Sequence, residues 1–273
     1  MKTVHHLSGL PRSGNTVLSA ILNQNPRFYS SPLSPLNDMI WNVINGYEGS
    51  EAILRNHNKQ RVDNLLKNMF QSYYFDVKEP VVFDRHKLWP TADNMRLFKN
   101  VLNPNVKVIF TVRNTLEILA SFVNQLQDNP EIYAEMKRNN FTPAAYLSNS
   151  DAICDYLMSY QNGMLPFTRL ALSTAIQEEN KEFVHIVDYK DLVDNPSLTM
   201  VGIYKFLGEE VYEHDFNNIV KIEEDNDGAI GGVVDRHKVR LKLSNESKKV
   251  EELLSARTIN KYSNEDFWKT KGE

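Results

Sequence analysis

The feature that most constrains this chain is a short strand, Thr3 to Ser8, that passes straight into Gly9-Leu10-Pro11-Arg12-Ser13-Gly14-Asn15-Thr16. Beyond that turn, Val17, Leu18, Ile21 and Leu22 recur on one face of a helical period that stops before Pro26. The order is therefore strand, glycine loop, helix. Gly9 and Gly14 have the spacing of a phosphate-binding loop, and Thr16 stands where such a loop places its hydroxyl residue, but Asn15 replaces the lysine that contacts transferring phosphates. Backbone N–H groups in such a loop, with the positive end of the following helix, still form an anion cradle. Arg12 can supply the missing cation, although two glycines at this spacing are also compatible with a plain tight turn.

Three further units repeat the pattern. Pro80-Val81-Val82-Phe83-Asp84 is a β-branched run that ends in the charged cluster Asp84-Arg85-His86-Lys87, ahead of Trp89 and Pro90. Val106 to Val112 is an apolar strand with Arg113 at its end, and Asn114 with Glu117 forms a capping-box pattern that opens a helix striped by Leu116, Leu119, Ala120 and Val123. Phe183 to Val187 leads through Asp188-Tyr189-Lys190-Asp191-Leu192 to Asn195-Pro196, an N-cap with proline in the first helical position, and Gly208 closes that helix. Strands alternating with helices predict right-handed crossovers and an α/β fold: a three-layer, P-loop-like arrangement with a central, mostly parallel sheet flanked by helices. In such sheets ligands bind beyond the carboxyl ends of the strands. Further helical stretches are expected over residues 51–73 and 151–176, the second broken near Pro166, and the polar segment 130–150 reads as a flap.

With 273 residues and no linker or repeat, the chain is expected to form one domain, 1–273. A formal charge of -4 argues against a surface built for nucleic acid or anionic membrane, so any anion site must be local. No segment approaches the ~18 apolar residues of a membrane span, and the N-terminus lacks a secretion signal. The single cysteine, Cys154, has no internal disulfide partner. These features predict a cytoplasmic protein.

The loop and the third unit together resemble the sulfotransferase family. Pro11-Arg12-Ser13-Gly14-Asn15-Thr16 is similar to its 5′-phosphosulfate loop, and Arg113 with Ser121 has the eight-residue spacing of its second motif. The resemblance is closer to bacterial and tyrosylprotein-type members, which carry arginine in the loop, than to the animal cytosolic enzymes. It implies 3′-phosphoadenosine 5′-phosphosulfate (PAPS) as donor, 3′,5′-bisphosphoadenosine (PAP) as product, no metal, and a small-molecule or other hydroxyl acceptor. It also implies that Arg113 and Ser121 hold the 3′-phosphate, to which a guanidinium fork and a hydroxyl donor are suited. By themselves these two residues are equally compatible with a surface ion pair to Glu117 and a solvent-facing serine. Tyr189-Lys190-Asp191-Leu192 resembles a family segment whose tyrosine lies near the adenine, with Lys190 in place of the usual acid. Arg236, Lys238 and Arg240 fall where relatives fold a basic loop over the 3′-phosphate.

Sulfuryl transfer requires in-line geometry, neutralised charge and a base for the incoming hydroxyl. Arg12 is expected to stabilise charge on the leaving phosphate. His86 is the favoured base and Asp84 the second candidate; the glutamate that tyrosylprotein-type relatives use has no counterpart among Ser31, Pro32 and Leu33. Asp84 at a strand end also imitates an acidic magnesium ligand, which keeps a nucleotide or small-molecule kinase in view, along with a nucleotide-binding module that performs no chemistry. The acceptor and the oligomeric state are not specified by the sequence.

Overall fold

The computed structural model describes residues 2–55, 58–128, 149–161, 163–221, 239–244 and 249–269. Alternating strands and helices fold as the sequence predicts. β1 (Thr3–Gly9) leads into α1 (Asn15–Leu22), β3 (Val81–Arg85) into α5 (Ala92–Leu97), β4 (Val108–Val112) into α6 (Thr115–Asp128), and β5 (Val184–Asp188) into α9 (Tyr189–Asp194) and α10 (Pro196–Leu207). With β2 (Phe28–Leu33), the described strands form one parallel sheet in the order β2-β3-β1-β4-β5. The strand order reverses direction at β1, which is where a sheet of this kind opens a crevice at its carboxyl edge. Register then fixes what meets there. Leu7 lies opposite Arg85 and Gly9 opposite Thr111, so the glycine loop, Arg85 and Arg113 all leave the sheet at one edge.

Alternation along the strands builds two cores. Leu7, Phe83, Ile109 and Val187 pack against Leu18, Ile21 and Leu22 of α1 and Ile203 and Tyr204 of α10. Val82, Val108 and Phe110 face the other way, toward Ile118 and Leu119 of α6 and toward Phe70, Trp89 and Phe98. Each fully buried leucine or isoleucine of α1 contributes about 2 kcal/mol of transfer free energy, which anchors the helix whose N-terminus carries the loop.

Several expectations need correcting. β2 is not among the strands expected from the sequence: it is an edge strand, where Pro32 costs no central ladder bond, and its register shifts between Ser30 and Leu33. A helix the sequence reading did not delimit, α2 (Leu36–Glu48), follows it. The stretch 51–73 divides into α3 (Glu51–Arg55) and α4 (Lys59–Tyr73), with the Asn58 side chain capping α4 by accepting from Arg61 N. Pro166 does not break a helix. It sits in the first turn of α8 (Met164–Ala175), where no N–H is required of it, and the interruption lies earlier, between α7 (Ser150–Leu157) and Gly163. The suggested flap falls, up to residue 148, outside the described residues. Among these residues no helix is long and apolar enough to cross a membrane.

The central strand carries an unusual pair. His5 packs on Phe83, and both of its ring nitrogens lack partners among the described residues. His6 is buried among Phe70, Trp89 and Phe98, and its Nδ1 is also unpartnered. Burial, then the charge of Lys107, lowers His5 to about 4, and burial, then His5, holds His6 well below the ordinary range. Burial likewise lowers His86 and His214 to about 4. The unfolded chain takes up these protons near pH 6.5 while the native state does not, so stability is full above that pH and is lost as pH falls toward 4. Asp84, raised by burial to about 6, and Asp188, raised by burial, work in the opposite sense, while His185, lowered by burial, joins the four other histidines: two groups against five. The thermal midpoint should therefore fall between pH 7 and pH 5, and His6→Phe should shrink that fall. An equal fall in both proteins would refute the assignment.

Candidate active site

The loop is braced from within. Ser13 Oγ is buried and bonds to Leu10 O at 2.5 Å, to Thr111 O at 3.1 Å and to Thr111 Oγ1 at 2.5 Å. Its hydroxyl is thus committed to fastening the loop onto β4, which leaves only its backbone for a ligand. Asn15, in the place of the absent lysine, donates from Nδ2 to Leu10 O at 3.2 Å, folding back into the loop instead of projecting from it. A Cβ on Gly9 would come within 2.1 Å of Thr111 Oγ1, so the strand end and the loop meet at backbone distance. Gly14 caps α1 with a left-handed φ of 87°, and a Cβ there would meet Tyr189 Cδ2 at 2.7 Å. No side chain caps α1 and its first turn holds no acid. Its leading N–H groups therefore point out of the helix end as anion donors.

Arg12 is the one described non-glycine residue with positive φ, 60°. Its Nε donates to Ser121 Oγ at 3.1 Å, and its carbonyl accepts from Arg113 Nη1 at 3.1 Å. Arg113 is buried at the end of β4, donates from Nε to Glu117 Oε2 at 2.9 Å, and lies over the Tyr189 ring with Cζ 4.5 Å from its centroid. The ion pair with Glu117, the alternative to a phosphate-binding role, is present, but it does not lead Arg113 away to solvent. It orients the guanidinium between the loop and Tyr189. Tyr189 in turn packs on Gly14, so loop, α6 and the β5 end share one wall. Asn114 caps α6 as expected, its Oδ1 accepting from Glu117 N at 3.2 Å, although the Glu117 carboxylate goes to Arg113 instead of completing a capping box.

On the other flank of the loop stands a residue that the sequence reading did not single out. Arg85, buried at the end of β3, donates from Nη1 to Thr16 Oγ1 at 3.2 Å, while its backbone N bonds to Ser31 Oγ at 3.1 Å. Strand alternation was the available signal, since Val81, Phe83 and Arg85 share the face that α1 covers. Three guanidinium groups thus surround the loop of a net-acidic chain.

Asp84, its neighbour on the opposite face, is fully buried. Oδ2 accepts from Tyr74 OH at 2.5 Å and Oδ1 from Trp89 Nε1 at 2.8 Å. This carboxylate braces the core beneath the site. His86 is also buried, and its Nδ1 accepts from Leu88 N at 3.3 Å, which leaves the ring proton on Nε2. Burial lowers its pKa, against a smaller raising effect of Asp38, so the ring is neutral at pH 7 and presents a donor. Arg236 and Lys238 lie outside the described residues. Arg240 is exposed, beside Leu241, whose carbonyl accepts from Ile219 N at 2.7 Å.

Residues 5–222 match the family model described as the sulfotransferase domain. Among solved structures, mouse sulfotransferase SULT7A1 complexed with PAP is 11% identical, with 100% of this chain and 86% of that chain covered and a TM-score of 0.54. The sulfotransferase domain from the Synechococcus PCC 7002 olefin synthase is 17% identical, with 96% and 94% covered and a TM-score of 0.52. At such identities the likeness carries the fold. Among curated protein sequences none matches this chain.

Proposed function

The chain belongs to the sulfotransferase family, and we propose that its site grips both ends of PAPS, the loop holding the 5′-phosphosulfate and Arg113 with Ser121 the 3′-phosphate. In the reaction the bond from sulfur to the bridging phosphate oxygen breaks, a bond from sulfur to the acceptor oxygen forms, the hydroxyl proton passes to a base, and PAP leaves. One observation carries this reading. Arg12 belongs to the loop, yet its side chain bonds Ser121 and its carbonyl bonds Arg113, so the two anion-binding elements form one continuous surface. The outward N–H groups of Gly14, Asn15 and Thr16 suit the 5′ end, and Arg85 at Thr16 stands on the flank where charge would develop on the leaving phosphate. Pro11 shapes the turn, and Tyr189 supports Arg113 and the loop at once. Asp84 is better suited to bracing than to accepting a proton, and His86, as a neutral Nε2–H donor, to orienting the acceptor.

Leu253, Leu254 and Tyr262 share the core of β4, which supports reading the chain as one domain. PAP should raise the thermal midpoint without added magnesium, and more than AMP does; at about a hundredfold excess over Kd the stabilisation is about 2.7 kcal/mol. Stronger stabilisation by ATP with magnesium than by PAP would instead return the kinase reading.

A further inference from the structure

The family match ends at residue 222, but the chain returns to the site well beyond it. After α12 (Ala256–Tyr262), the segment 265–269 lies across the N-terminus of α6. Asp266 Oδ1 accepts from Thr115 N at 2.8 Å and from Thr115 Oγ1 at 2.8 Å, and Oδ2 accepts from Asn114 Nδ2 at 2.6 Å. Lys269 Nζ donates to the same Oδ2 at 2.8 Å. The segment is itself held in place. Arg169 Nη1 donates to Glu265 O at 2.9 Å, its Nη2 bonds the Glu265 carboxylate, and its guanidinium lies over Phe267 at 5.0 Å. A half-buried carboxylate on a helix N-terminus, with three donors from that terminus, is a firm cap.

What this cap fixes is the arm of the site. Only Asn114 separates Arg113 from α6. Asp266 takes the Asn114 amide nitrogen, which leaves Asn114 Oδ1 turned to Glu117 N at 3.2 Å. Glu117 then holds Arg113 Nε at 2.9 Å, and Arg113 Nη1 holds the carbonyl of Arg12 at 3.1 Å. Hydrogen bonds thus link the C-terminal segment to the loop residue by residue, passing through the Asn114 amide and from the Glu117 backbone to its own carboxylate. We propose that Asp266 is a positioning residue for the 3′-phosphate end of the site, acting through Asn114 and Glu117 on the guanidinium of Arg113. This rests on the assignment of Arg113 and Ser121 to the 3′-phosphate.

The test uses the full chain and two probes, PAP and AMP, which differ by the 3′-phosphate. Asp266→Ala should weaken PAP about tenfold, the size of one net hydrogen-bond contribution, and leave AMP within about twofold. Asp266→Asn keeps an acceptor for Thr115 but turns an amide nitrogen toward Asn114, and should give a smaller loss of the same selectivity, which guards against an alanine variant that folds poorly. Equal weakening of both nucleotides, or none, in either folded variant would overturn the proposal, since a purely structural cap has no means of telling them apart. Arg113→Ala separates the two possible failures. If it keeps the preference for PAP, the assignment of Arg113 itself is wrong; if it loses that preference while the Asp266 variants keep it, only the role of Asp266 is wrong.

Discussion

Replacing Arg85 by alanine is expected to lower turnover by about two to three orders of magnitude and to weaken PAP as well, since PAP carries the full charge of the leaving phosphate. The effect follows from where the guanidinium stands. It reaches Thr16 at the start of α1, not the Ser121 and Arg113 group that would hold the 3′-phosphate, so it contributes little to gripping the nucleotide at its far end. Sulfuryl transfer moves negative charge onto the bridging oxygen of the leaving phosphate, and a buried cation aimed there acts in a low-dielectric setting where its interaction is not dissipated by water. Asn15 makes this cation more necessary, because the amide that replaces the loop lysine is turned inward to Leu10. Arg85→Lys should recover part of the rate, since it restores the charge but not the forked donor set that can bond Thr16 and an anion together. Release of PAP from the donor, followed with an acceptor drawn from a panel of hydroxyl compounds, gives the rate. Turnover within threefold of wild type in Arg85→Ala would place the leaving-group cation elsewhere, with Arg12 as the remaining candidate on the loop.

The contrast between Arg85 and Arg113 shows what could be read in advance. Arg113 stood out because it follows an apolar strand and precedes an N-cap, which fixed its height at the sheet edge, while its direction toward the loop rested on the family resemblance. Arg85 has the same position at the end of β3, but it sits among Asp84, His86 and Lys87, and a charged cluster reads as solvated surface unless the two-residue alternation of the strand is carried through it. The glycine loop was legible as a backbone shape, but the use of its side chains was not: Ser13 holds the loop to Thr111 and Asn15 folds back onto Leu10. β2 was hidden by Ser30, Ser31 and Pro32, whose weak strand preference is overridden by pairing with β3. Asp266 lies 151 residues from Thr115, and no local pattern announces a cap supplied from that distance.

Asp84→Ala should cost about 3 to 5 kcal/mol of stability, and the protein that remains folded should still bind PAP. The carboxylate is fully buried between the core and the strand end, and it is the acceptor for Tyr74 OH at 2.5 Å and for Trp89 Nε1 at 2.8 Å. Removing it takes the shorter acceptor from the Trp89 indole, which keeps the carbonyl of residue 84 at 3.2 Å, takes the carboxylate from Tyr74, which Ser31 and Ser34 also reach, and leaves a buried void where the side chain stood. Burial raises the carboxyl to about 6 in spite of the bonds from Ser34, Tyr74 and Trp89, so Asp84→Asn removes a charge that the fold already strains to keep. The asparagine variant can still accept from Trp89 and should lose less stability than the alanine variant. Thermal midpoints of the three proteins, set beside their turnover, distinguish a brace from a base. A brace predicts that stability falls first and that turnover per folded molecule changes little in Asp84→Asn. A base predicts the reverse: an unchanged midpoint with turnover abolished in both variants would restore Asp84 to the chemistry and remove it from the scaffold.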